Sequence, residues 1–147
     1  MHTVLSALRD IFTSTTALLT LGGAVGTNAR YWLGKWFGEA AWRTHNTWLS
    51  AFPLGTFVIN VTGSFVLGVV GVLFLKHMPQ HRAWFLLLGT GLCGGYTTFS
   101  TFEWETLQLL QAQSYWLAAA NVLGSVAVGF LGIVLGAALG TLIFRNI

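Results

Sequence analysis

Residues 91–105 read Gly-Leu-Cys-Gly-Gly-Tyr-Thr-Thr-Phe-Ser-Thr-Phe-Glu-Trp-Glu, and their types suit ion handling better than a continuous membrane helix. Gly94 and Gly95 loosen the backbone, and the hydroxyl residues Thr97, Thr98, Ser100 and Thr101 follow at once. Phe99 and Phe102 stand three apart among them. A bilayer tolerates broken backbone only where the freed amide groups face protein or an aqueous cavity. The stretch therefore predicts a helix interrupted in order to hold an ion. Backbone carbonyls released by a break can bind a cation. Hydroxyls can donate hydrogen bonds to an anion, and phenyl rings present a positive edge to it.

The rest of the chain must position this stretch inside a membrane. Of 147 residues, 54% are hydrophobic and 7% are charged, and the mean hydropathy is +0.70. A water-facing domain carries about 25% charged residues, so this chain could not cover a soluble surface. The charges leave four uncharged intervals, 11–29, 44–75, 83–102 and 106–144. Each can supply a helix of about 20 residues across the hydrocarbon core. We expect one domain, residues 1–147, with four transmembrane helices at about 13–33, 54–75, 83–110 and 117–144, the third broken near its middle. The basic residues sit at span ends rather than in a phosphate-binding patch, which argues against nucleic acid. Cys93 is the only cysteine, so an intrachain disulfide is impossible and burial as a small thiol is its expected role.

Along the chain, Leu5, Leu8, Ile11 and Phe12 mark a short interfacial segment, and no signal-peptide cleavage pattern is evident. In the first span Gly22 and Gly26 allow close helix approach. Arg30 near its end either snorkels to the interface or offers a positive charge at the mouth of an anion path. Trp36, Trp42 and Trp48 with Lys35 and Arg43 mark the headgroup layer. In the second span Thr56, Asn60, Gly63 and Ser64 share one face. Asn60 is either glue between helices or a pore-lining donor. His77 and His81 lack partners for a metal. In the fourth span Asn121 and Ser125 share a face, and Gly132, Gly136 and Gly140 form a small-residue seam. Four spans would leave four basic residues (Arg9, Lys76, Arg82, Arg145) on one side and three (Arg30, Lys35, Arg43) on the other. So even a split gives little positive-inside bias and predicts insertion in both orientations, with an antiparallel dimer of opposed copies.

These stretches together resemble the fluoride-specific ion channels known as CrcB or Fluc. The resemblance rests on Gly22-Gly-Ala-Val-Gly26 with Arg30, and on Phe52-Pro-Leu-Gly-Thr56 with Asn60, Gly63, Phe65 and Gly68. Its most specific part is Gly94-Gly-Tyr-Thr-Thr-Phe-Ser-Thr-Phe102 with Glu105, with support from Asn121 and Ser125. It implies an all-α integral membrane protein, a dual-topology homodimer that passes fluoride out of a bacterial cell through its inner membrane. It implies two pores lined by both subunits and a structural sodium ion (Na+) at the dimer centre, held by the main-chain carbonyls of Gly94 and Thr97. It implies an anion path lined by Asn60, Thr98, Phe99, Phe102, Asn121 and Ser125, with Arg30 in the vestibule. Asn121 stands where some members have tyrosine, and the connection at residues 35–53 is longer than is usual in that family.

Two other functions fit the size. A small dual-topology multidrug exporter needs a carboxylate embedded in the membrane, and residues 11–29 and 54–75 contain none. A non-transporting assembly subunit explains the glycine seams but neither Asn60 nor the helix break. No nucleophile–base pair, metal cluster or phosphate loop points to an enzyme.

Overall fold

A computed structural model describes residue 10, residues 14–43 and residues 47–145. The interfacial segment expected at the N-terminus falls largely outside the described residues, as does the side chain of Trp42. Among the described residues every regular element is helical. Helix α1 spans Thr15–Arg43, and a short α2 spans Thr47–Ala51. Helix α3, Leu54–Gly71, continues as a wider π-helical segment, Val72–His77. After a 3-10 turn at Pro79–His81, α4 covers Arg82–Phe85 and passes into a π-helical segment, Leu86–Cys93. Helix α5, Gly94–Tyr96, ends the first half of this passage, α6 (Phe99–Gln111) forms the second, and α7 spans Tyr115–Ile143.

Leu54–His77 and Tyr115–Ile143 are long and apolar enough to cross a membrane, with mean hydropathies of 2.2 and 2.4. Their outward faces stay apolar: Leu123, Val126, Phe130, Leu131 and Leu142 on α7 are all exposed. So much contiguous apolar surface is incompatible with water on that side. With the helical content, it makes this a membrane protein. Helix α1 is less apolar because its second half carries Arg30, Lys35, Glu39 and Arg43. It also runs on to Arg43, ten residues past the expected end of the first span, with no proline between Leu33 and Arg43 to stop it.

Glycines set which helices touch. A Cβ on Gly22 would collide with the Leu87 carbonyl, and one on Gly26 with that of Leu92, so α1 lies directly against the π-helical segment. The seam on α7 faces α3: Gly132 lies against the Val61 carbonyl and Gly136 against that of Phe65. The close-packing role expected for both glycine sets is what the structure has. Adding a methyl at Gly136 should overpack this contact by about 1–3 kcal/mol. Gly136→Ala should therefore lower the unfolding midpoint in detergent. Gly71→Ala, whose Cβ would meet nothing within 4 Å, should not. Equal midpoints would contradict the packing described.

Candidate functional site

The helical run from Arg82 to Gln111 breaks at Thr97 and Thr98, both extended (φ −79°, ψ 159° and φ −150°, ψ 123°). This corrects the expectation that Gly94 and Gly95 loosen the backbone. Gly94 is helical, at φ −65° and ψ −36°. Gly95 is needed for contact, since a Cβ there would stand 2.7 Å from the Gly23 carbonyl oxygen. The break is made by the side chain of Asn60. Its Nδ2 donates to the Thr98 carbonyl at 3.0 Å, and its Oδ1 accepts from the Thr98 N–H at 2.8 Å. One amide thus satisfies both backbone groups of an extended residue, as a neighbouring strand would. The Thr98 N–H is then lost to the Gly94 carbonyl, its partner in an uninterrupted helix.

Thr98 also starts the next helix. Its Oγ1 accepts from the Thr101 N–H at 3.2 Å and donates to Thr101 Oγ1 at 3.0 Å, capping α6. On the other side Arg30 Nη1 donates to the Thr97 carbonyl at 3.3 Å. Arg30 is half-buried and reaches inward to the break. Ser64 Oγ donates to the Asn60 carbonyl at 2.7 Å, and Thr62 Oγ1 and Tyr96 Oη share a bond of 3.0 Å.

Two cavities flank the break, and Thr98 lines both. The smaller, of about 270 Å³, gathers Asn60, Thr98, Phe99, Phe102 and Ser125. Phe102 is 8% exposed and Phe99 70%, with ring centroids 5.7 Å apart and planes tilted by 40°. One ring is therefore anchored while the other projects from the chain. Among the described residues no charged side chain lines this cleft. Asn121 stands one turn behind Ser125 rather than on the cleft wall and is fully buried. Its Nδ2 donates to Thr106 Oγ1 at 2.9 Å, and its Oδ1 accepts from Ser125 Oγ at a long 3.4 Å. It is placed to orient the Ser125 hydroxyl.

The larger cavity, of about 540 Å³, opens beside Arg30 and is lined also by Lys35, Thr56, Thr101 and Glu105. Thr56 Oγ1 donates to Glu105 Oε1 at 2.9 Å, while Glu105 Oε2 is buried without a hydrogen-bond partner. Sequence reasoning left Thr56 and Glu105 without a role. A signal was present: Thr98, Thr101 and Glu105 recur at i, i+3 and i+7, and Thr56 lies one turn before Asn60 on the same face of α3. Gly94 is exposed with open space beside its Cα.

Residues 17–137 match the profile of the family described as CrcB-like protein, Camphor Resistance (CrcB). The chain belongs to the CrcB family. All the residues of both cavities lie within the matched CrcB region. The chain is 41% identical over 122 residues to a protein of Solibacter usitatus named fluoride-specific ion channel FluC, covering 83% of this chain and 94% of that one. It is 46% identical over 112 residues to a protein of the same name from Oceanobacillus iheyensis, covering 76% and 80%. A third protein of that name, from Pyrococcus abyssi, is 39% identical over 125 residues. The CrcB relationship therefore covers the whole ensemble around the break.

Proposed function

We propose that this protein is a fluoride-selective passive channel that exports fluoride from a bacterial cell through its inner membrane. The observation that carries the reading is the cleft beside the broken helix, where neutral donors and two phenyl rings converge without a lysine or arginine. The relatives' shared name supports fluoride as the ion.

Fluoride is small and holds its water tightly, so a selective path must replace that shell with close donors while binding weakly enough to release. Asn60 carries two amide protons. One is committed to the Thr98 carbonyl, which fixes the amide and leaves the second for the ion. The Ser125 hydroxyl, held only at 3.4 Å by Asn121, can turn to the ion at little cost. Phe99 and Phe102 complete the path with ring edges. Arg30 supplies positive potential in the vestibule without entering the cleft.

Four membrane spans and an antiparallel homodimer complete this reading. The exposed Phe99 ring would then face a partner copy, so that each of two pores is lined from both sides. The near-even split of basic residues supports dual insertion. A central sodium ion fits the donor set. The break frees the Gly94 carbonyl from its helical partner, and the Thr97 carbonyl has a second lone pair beside its 3.3 Å contact with Arg30. Two copies would present four such neutral oxygens, and the bound cation would supply the charge that fastens them.

Purified protein in potassium-fluoride-loaded liposomes should release fluoride, read by a fluoride electrode, far faster than matched vesicles loaded with potassium chloride release chloride. Release should need no proton gradient. Silence from monodisperse protein, or release only when a pH gradient is applied, would refute passive conduction. The second outcome would turn attention to Glu105, a carboxylate on the larger cavity, and to proton-coupled export.

A further inference from the structure

Helix α1 has 29 residues and is about 43 Å long at 1.5 Å per residue, well beyond the ~30 Å hydrocarbon core. The surplus is not idle. Past Gly34, where α1 meets Gly55 of α3 closely enough that a Gly55 Cβ would stand 2.9 Å from the Gly34 carbonyl oxygen, the second half of α1 and the residues leading into α3 both line the larger cavity. Lys35, Gly38 and Ala41 come from α1, and Ser50, Phe52 and Pro53 from the segment before α3. The described parts of the long connection thus form a collar at the vestibule.

We propose that Lys35 and Glu39 form an opposed charge pair that sets the anion-attracting potential at the mouth of this collar. The inference rests on the channel reading above. Among the described residues Arg30, Lys35 and Glu105 are the charged ones that line the cavity, and Lys35 adds to the positive charge that Arg30 brings. Its ammonium lies 5.7 Å from the centre of the Trp32 ring, which holds it near the helix surface. Glu39 is one turn away, with Nζ to Oε1 at 4.0 Å and both side chains about half exposed (53% and 54%). A pair this long and wet contributes little stability. Both charges nevertheless act on the approach to a low-dielectric cleft, where field lines are focused and local anion concentration rises. Lys35 draws the anion in, and Glu39 moderates the pull.

The two substitutions must then have opposite signs. At ~10 mM ionic strength, where the screening length is about 30 Å, Lys35→Gln should lower fluoride current through a planar bilayer about two- to fivefold. Glu39→Gln should raise it by a similar factor, and Lys35→Arg should match wild type. In ~1 M of a non-permeating salt the screening length falls to about 3 Å, and all four proteins should converge. Loss of current in both Gln variants would mean that the pair only braces the helix, and would overturn the proposal. So would differences that persist in high salt, or currents unaltered at low salt. Absence of fluoride current from the wild type would instead overturn the channel reading itself.

Discussion

Replacing Asn60 by leucine should abolish fluoride release, by at least about 100-fold, and should lower the unfolding midpoint of the purified protein. The side chain holds the Thr98 N–H and carbonyl at 2.8 and 3.0 Å, and Thr98 is buried. Leucine fills a similar volume but leaves two buried backbone groups unsatisfied, each costing about 1–3 kcal/mol. The extended pair at residues 97–98 would then have no partner, and the helix would regain stability by closing over the break. Asn60→Asp separates the two roles. A carboxylate still accepts from the Thr98 N–H but cannot donate to the carbonyl when ionised, and it puts negative charge in the anion's path. Asn60→Asp should therefore keep more of the thermal stability than Asn60→Leu and still fail to conduct. Unchanged flux and midpoint in Asn60→Leu would show that the amide neither holds the break nor serves the ion.

The phenylalanines should respond differently from each other in stability and alike in conduction. Phe102 is buried, and its truncation to alanine would cost about 3–5 kcal/mol through the cavity left behind. Isoleucine retains most of the volume, which limits the packing cost to roughly 1.5 kcal/mol, but removes the ring edge. Phe99 projects from the chain, so Phe99→Ile should leave the unfolding midpoint of the isolated chain nearly unchanged. Each replacement should slow fluoride release by about tenfold or more, corresponding to ~1.4 kcal/mol on the barrier. Normal release from both variants would remove the rings from the ion path.

Much of this arrangement was legible in the residues, because charge spacing and residue type act locally. The charge-free intervals 11–29, 44–75, 83–102 and 106–144 anticipate the long helical passages. The glycine spacings at Gly22 and Gly26 and at Gly132, Gly136 and Gly140 anticipate which surfaces touch. The existence of a break was readable from Gly-Gly-Tyr-Thr-Thr, but its position was not. Glycine propensity pointed to Gly94 and Gly95, yet both are helical, and Gly95 packs directly against Gly23. The competitor for the backbone sits 38 residues away at Asn60, a partner that no local rule identifies. The Thr56–Glu105 bond crosses 49 residues and was hidden for the same reason. The connection at 35–53 had no evident role because its meaning is geometric. Only when α1 continues to Arg43 and α2 follows does a wall around the vestibule exist.

Current through a single bilayer separating fluoride from chloride tests selective passive conduction most directly. With equal concentrations of the sodium salts on either side and no pH difference, the reversal potential should lie far from zero, at the polarity set by the fluoride gradient. It should stay there when a proton gradient is imposed. A reversal near zero would mean that fluoride and chloride pass alike, and one that moves with pH would mean that protons are coupled to the flux. Either result would contradict a fluoride-selective channel.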